Sequence, residues 1–209
     1  MKFSGEQVEE KIRQAALQAQ AAVARLATEE SVRFIAAAAE RIIACYQRQN
    51  KLLIAGNGGS LCDAMHFAEE MTGFFRRKRP ALAALAPGDP GHLTCVGNDV
   101  GFEEVFSRFV EAHGKEQDIL IVLTTSGQSE NLVRAVEMAK KKQLETVAFL
   151  GKTGGKLRGM CHLEWIVDGF PFSDRIQEAH MAAIHILIEQ VEEALFFHNE
   201  PTQAMAEAL

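Results

Sequence analysis

A chain of 209 residues, 47% of them hydrophobic, is long enough to bury a core of its own as one domain. Its net charge of −6 argues against a surface built for nucleic acid. No segment reaches the ~18 consecutive apolar residues of a membrane span. The first residues, MKFSGEQVEEKIRQ, lack the apolar centre of a secretory signal. Cys45, Cys62, Cys95 and Cys161 form no CxxC pair, so the expectation is a reduced, cytoplasmic protein. The one basic run, Arg76-Arg77-Lys78-Arg79, reads as a solvated helix end.

Residues 4–49 are rich in Ala, Glu, Gln and Arg, with apolar residues at helical spacing. They predict two helices with a break near Thr28 and Ser31. KLLIAGNGG is a short buried strand running into a glycine turn, and helical spacing returns over 60–75. ALAAL (81–85) reads as a strand, and APGDPGH (86–92) as a loop leading to CVGND. A helix is predicted over GFEEVFSRFVEAHG and a strand over DILIVLTTSG. SENLVRAVEMAKKKQ is again a helix, ETVAFLG a strand, and HLEWIVDG a fifth strand. A long helix, SDRIQEAHMAAIHILIEQVEEALFF, follows. Strands alternating with helices predict an α/β fold: a parallel sheet with helices on both faces. Ligands of such sheets sit at the carboxyl ends of the strands.

Two polar turns lie at such ends. GNGGS joins a strand to a helix, where glycines let the backbone approach a ligand and helix-start N–H groups point at it. Glycine there also has a purely steric use. TTSGQS says more: Thr124, Thr125, Ser126 and Ser129 offer four hydroxyls at a helix start. One hydroxyl serves as a cap. Four suit a phosphate, which takes many neutral donors and a helix dipole. Two lookalikes fail. GKTGGK (151–156) has Thr146 where a nucleotide P-loop needs glycine, and GNGGSL ends in leucine where GxGxxG needs glycine. Neither ATP nor NAD is suggested.

His66 and Glu70 are four apart on the helix after GNGGS, hence on one face, one or two turns beyond the turn. A surface His–Glu pair is the plain alternative. Gln177 and His185 share a face of the last helix, about 12 Å apart along its axis. His185 lies in the apolar run IHILIE, which by itself favours a core histidine over a functional one.

GNGGSLCDAMHFAEEMTG, CVGND, TTSGQS and DRIQEAHMAAIHILI, in this order, resemble the sedoheptulose 7-phosphate isomerase (phosphoheptose isomerase) family of the sugar isomerase (SIS) fold. The likeness runs over about 30–195. It implies a single SIS domain over 1–209, a flavodoxin-like three-layer sandwich with an N-terminal helical segment over about 1–49. It also implies a cytoplasmic homotetramer with one zinc per subunit. The implied reaction turns sedoheptulose 7-phosphate into D-glycero-D-manno-heptose 7-phosphate, for the heptose of lipopolysaccharide core. By matching positions, Asn57, Gly58, Gly59 and Ser60 fall on a substrate-binding turn, and Asn98 and Asp99 on a second substrate segment. Thr124, Thr125, Ser126 and Ser129 fall on the phosphate loop. His66, Glu70, Gln177 and His185 fall on zinc positions. Glu70 and Gln177 also belong to the substrate set, and Glu70 and His185 form the acid–base pair. Leu61 departs from the family's frequent histidine, and Thr124 from its frequent serine.

Ketose–aldose isomerisation moves a proton between adjacent carbons through an enediol, which asks for a base and an acid. Two rival readings exist. One is a non-catalytic SIS-fold interaction protein like a replication-initiation factor, suggested by RIQE and ALFFHNE (194–200). The other is a sugar-phosphate-binding regulator. The histidine and glutamate retained at 66, 70 and 185 favour the enzyme. The axial separation of Gln177 and His185 predicts a site shared between subunits, with His185 reaching it from a neighbour.

Overall fold

Three apolar runs form the centre of the sheet, because residues buried on both sides have no need of alternation. In a computed structural model describing residues 5–198, they are β1 (Leu52–Gly56), β3 (Ile119–Thr124) and β4 (Glu145–Gly151). β2 (Ala84–Leu85) and β5 (Leu163–Val167) are the edges, and the order is β2-β1-β3-β4-β5. Every pairing is parallel. The order reverses direction at β1 and β3, so their carboxyl ends flank the crevice where ligands of open sheets bind.

The helices are α1 (Gly5–Ala24), α2 (Glu29–Gln47), α3 (Gly59–Thr72), α4 (Pro90–Asp99), α5 (Val105–His113), α6 (Glu130–Lys141) and α7 (Ser173–Glu192). Side chains alternate across the strands. Leu52, Ile54, Ile121 and Phe149 meet α2, α3 and α7 on one face, while Leu53, Ala55, Val122 and Leu150 meet α5 and α6 on the other. This is the expected three-layer sandwich. Phe67, Phe106 and Phe149 are fully buried, each stabilising the fold by about 1.5–3 kcal/mol. At the amino ends of β1 and β3, Asp118 accepts from the backbone N–H groups of Lys51 and Lys115. Burial pushes its carboxyl pKa up, but those bonds and the Lys51 ammonium outweigh it and hold it below the usual value.

The predicted N-terminal break is present: Thr28 caps α2 by accepting from the Ser31 N–H at 3.3 Å. No described helix is long and apolar enough to cross a membrane. Residues 1–4 and 199–209 of the expected domain, Asn199 and Glu200 of ALFFHNE among them, lie outside the described residues.

Three local expectations are corrected. The loop expected over 86–92 ends at Asp89, and α4 runs from Pro90 through CVGND; Asp89 caps it by accepting from the His92 N–H at 2.8 Å, and Pro90 occupies its first turn. α4 buries no residue, so it carries no apolar period to read. The next helix begins at Val105, after a 3-10 turn over Phe102–Glu104 entered through Gly101 at φ 123°. The basic run is no solvated helix end. α3 stops at Thr72, and Arg79 is buried, with its Nε 2.7 Å from Glu192 Oε1. Arg76 and Arg77 pair with Glu189 and Glu193.

Candidate active site

β1 delivers the chain to the GNGGS turn, where Gly58 has φ 56°, a conformation that favours glycine. α3 then begins at Gly59. A Cβ at Gly59 would fall 2.6 Å from Gln177 Nε2, so its absence makes room for that amide. Gln177 donates to Ser60 Oγ at 3.3 Å. Asn57 exchanges a pair of hydrogen bonds with Asn131 of α6, at 3.0 and 2.9 Å, joining the turn to the start of the next helix.

β3 delivers the hydroxyl loop. The Thr124 hydroxyl accepts from the Gly127 N–H at 3.1 Å, and Ser126 Oγ from the Gln128 N–H at 3.2 Å. These bonds curl the loop around Gly127, where a Cβ would fall 1.8 Å from the Gly154 carbonyl oxygen. Thr125 Oγ1 lies 3.2 Å from Ser173 Oγ. Ser129 stands at the cap position of α6 but makes no side-chain capping bond. Its hydroxyl therefore remains available to a ligand. Together Asn57, Gly59, Ser60, Thr124, Thr125, Ser126, Ser129, Ser173 and Gln177 line a polar cavity of about 340 Å³. Ser173, at the start of α7, is a lining residue the sequence reading did not name. A cavity of about 380 Å³ lies elsewhere, near Arg25, Lys152 and Arg158. It holds none of the candidate residues.

The charged half of the site lies between α3 and α7. His66 Nε2 is 3.2 Å from Glu70 Oε1. The His66 and His185 rings have centroids 5.3 Å apart. Ligand atoms of His66, Glu70 and His185 all lie within 4.8 Å of one another, and no residue of this cluster is fully buried. Burial lowers the His185 pKa from its usual value, His66 adds to the effect, and Glu70 opposes it. A neutral imidazole is suited to accepting a proton or a metal.

This cluster forms within one chain, which corrects the expectation that His185 reaches the site from a neighbouring subunit. Gln177 and His185 need not stretch toward each other. Gln177 lies beside Ser60 in the hydroxyl cavity, and His185 lies with His66 and Glu70.

Asn98 and Asp99 do not line the hydroxyl cavity. They are exposed at the end of α4, where Asn98 Nδ2 donates to Asp99 Oδ1 at 2.6 Å. Gly58 is likewise exposed and outside the lining residues. Two residues carry signals that were missed. Asp63 precedes His66 by one turn and Glu70 by two; its Oδ2 is buried without a partner among the described residues, and burial pushes its pKa up to about 6. Its i, i+3, i+7 relation to His66 and Glu70 was readable from the spacing. The core histidine of α7 is His180, fully buried, with Nε2 3.0 Å from the Leu150 carbonyl.

The family model for the SIS domain matches residues 13–151. The chain is 53% identical over 161 residues to a phosphoheptose isomerase of Fusobacterium nucleatum, covering 77% of this chain and 82% of that one. It is 48% identical over 170 residues to a phosphoheptose isomerase of Vibrio vulnificus, covering 81% and 89%. The structure of a phosphoheptose isomerase from Francisella tularensis superimposes with a TM-score of 0.81 at 34% identity, over 91% of this chain and 100% of that one. With the hydroxyl cavity and the His–Glu–His cluster both drawing on α3 and α7, these likenesses show that the chain is an enzyme belonging to the phosphoheptose isomerase family of SIS-domain proteins.

Proposed function

We infer that the chain isomerises sedoheptulose 7-phosphate to D-glycero-D-manno-heptose 7-phosphate, in the cytoplasm, for the heptose of lipopolysaccharide core. The observation that carries this reading is the presence of two unlike sites on the same pair of helices, α3 and α7. One is a hydroxyl cavity at the start of α6, the other a His–Glu–His cluster on the facing stripes of α3 and α7.

The loop from Thr124 to Ser129 binds the phosphate with hydroxyls and N–H groups at the helix start. Gln177 and Ser60 orient the sugar beside it. Glu70 takes the proton from carbon 1 of the ketose and returns it to carbon 2, with an enediol between. His185 moves the proton between the two oxygens, so the reaction closes with no net gain or loss of protons. Asn98 and Asp99 serve the substrate only from outside the hydroxyl cavity.

The donor set fits zinc. Bonds of about 2 Å in a tetrahedral site put ligands about 3.3 Å apart, and His66 Nε2 and Glu70 Oε1 stand 3.2 Å apart. His66, Glu70 and His185 would hold it; Gln177, the fourth donor by resemblance, instead bonds Ser60 Oγ in the hydroxyl cavity. When bound, zinc supplies Lewis-acid polarisation of the carbonyl and charge stabilisation of the enediolate.

The homotetramer is carried over from the resemblance; α1, which leaves Val8, Ile12, Leu17 and Val23 exposed and buries only Ala22, supports self-association without setting the number of copies. Incubation of the purified protein with sedoheptulose 7-phosphate in deuterated water tests the reaction. The aldose and deuterium at its carbon 2 are expected in the proton and carbon spectra. Absence of both, with zinc supplied, refutes the isomerase reading and leaves the regulator.

A further inference from the structure

α3 stops at Thr72, and its final carbonyl groups have no helical partner. Arg79 supplies one. Its Nη2 donates to the Glu70 carbonyl at 2.9 Å, and its Nη1 to the Met71 carbonyl at 2.7 Å and the Gly73 carbonyl at 3.1 Å. A cation at a helix carboxyl end also complements the helix dipole. The remaining direction of the guanidinium, Nε, points at Glu192 Oε1, 2.7 Å away. Both side chains are almost wholly out of water, 0% exposed for Arg79 and 4% for Glu192. One residue thus holds the backbone of Glu70 from below.

Glu192 performs the matching task on the other side. It accepts from the Phe75 N–H at 3.0 Å and the Arg76 N–H at 3.4 Å. The Phe75 ring so fixed stacks on His185, with centroids 5.4 Å apart and planes 21° apart. Glu192 lies seven residues after His185, two turns along the same stripe of α7. The segment 73–80 is therefore clamped between the end of α3 and the last turns of α7.

We propose that the buried Arg79–Glu192 pair is the positioning device of the active site. It holds Glu70 through the end of α3 and His185 through Phe75, so the separation of acid and base is set by one ion pair. Neither residue touches substrate; both act through others. The pair differs from the surface pairs Arg76–Glu189 and Arg77–Glu193, whose side chains are substantially exposed. The proposal rests on the isomerase reading for its kinetic consequence, but its geometric consequence is independent of it.

Three variants of the full chain test it: Glu192→Gln, Arg79→Lys and Phe75→Leu. The first removes the charge and keeps the shape. The second keeps the charge and removes the planar fork, which a lysine cannot reproduce. The third leaves the ion pair intact and removes only the stacking on His185. Circular dichroism and thermal melting check the fold. Turnover is measured with sedoheptulose 7-phosphate, and zinc affinity by competition with a chromogenic chelator. Folded variants are expected to lose at least about tenfold in kcat and in zinc affinity, as partners of site residues do. KM should stay within about twofold, because the phosphate loop is untouched. A merely structural pair lowers the melting temperature and leaves kcat per folded molecule and zinc affinity at parental values; that result overturns the proposal. If Arg79→Lys does not fold, Phe75→Leu still reads the His185 arm and Glu192→Gln the pair. A parent without turnover refutes the reaction, and the zinc affinities of parent and variants then decide the positioning role alone.

Discussion

The hydroxyl loop after β3 and the cluster between α3 and α7 are built in opposite ways. The loop is one continuous stretch of six residues whose groups are neutral and whose shape is set by its own hydrogen bonds, Gly127 to Thr124 and Gln128 to Ser126. The cluster draws titratable groups from two helices more than a hundred residues apart in sequence. The first can bind an anion without any group changing charge. The second can move protons, at the cost of depending on packing around it. Binding and chemistry should therefore fail separately.

The largest effect is expected at Glu70. Glu70→Gln keeps the shape of the side chain but cannot take a proton, so kcat should fall by roughly 10³-fold. Inhibition by inorganic phosphate should stay at the parental level. Near-normal turnover would remove Glu70 as base, and lost phosphate inhibition would show that the two regions are not separate.

His180 sharpens the contrast from inside the same helix as His185. Burial pushes its pKa down to about 4, against about 6.5 in an unfolded chain. Above pH 6.5 both states are neutral, and the contribution to stability is complete. As pH falls from 6.5 to 4, the unfolded state takes up a proton that the folded state refuses. Stability is therefore lost in that window, by about 1.4 kcal/mol per pH unit at most. Denaturant midpoints between pH 7.5 and 4.5 should slope downward for the parent and less steeply for His180→Gln. Parallel slopes would assign the loss to other groups.

In the loop, Ser126→Ala and Ser129→Ala should each raise KM about tenfold, the worth of one hydrogen bond to a charged group, with kcat nearly unchanged. Unaltered phosphate inhibition in both variants would move the phosphate elsewhere. The smallest effect is expected at the join of the regions. In Gly59→Ala the new Cβ meets the flexible end of Gln177. The melting temperature should hold, and kcat/KM should fall about threefold as the bond to Ser60 is lost. A large loss of stability would mean the helix start, rather than the amide, had moved.

The same division explains what could be read in advance. β1, β3 and β4 are continuous apolar runs, and the hydroxyl loop is contiguous, so both were visible along the chain. His66 and Glu70 were visible as a helical pair. Their meeting with His185 inside one chain was not, because spacing along α7 says nothing of which way each side chain turns. The choice between His180 and His185 as the core histidine was equally hidden: both lie in apolar surroundings, and only the packing of Phe149 and Trp165 against His180 separates them. The basic run was misread for a related reason. Its acidic partners lie more than a hundred residues away, and nothing local distinguishes Arg79, which is buried, from Lys78, which is exposed. α4 escaped because it rests on a cap and an exposed surface rather than on an apolar stripe.

The reciprocal amide pair of Asn57 and Asn131 has a thermodynamic consequence. Each carboxamide gives one hydrogen and takes one, so neither is left to solvent in the direction of the other. The glycine turn and the start of α6 are thereby stapled at a fixed gap before any ligand arrives. Little loop entropy remains to be lost on capture of the phosphate. Association at this end should behave like docking into a rigid receptor: fast, single-phase, and without the slow closing step that a mobile flap imposes.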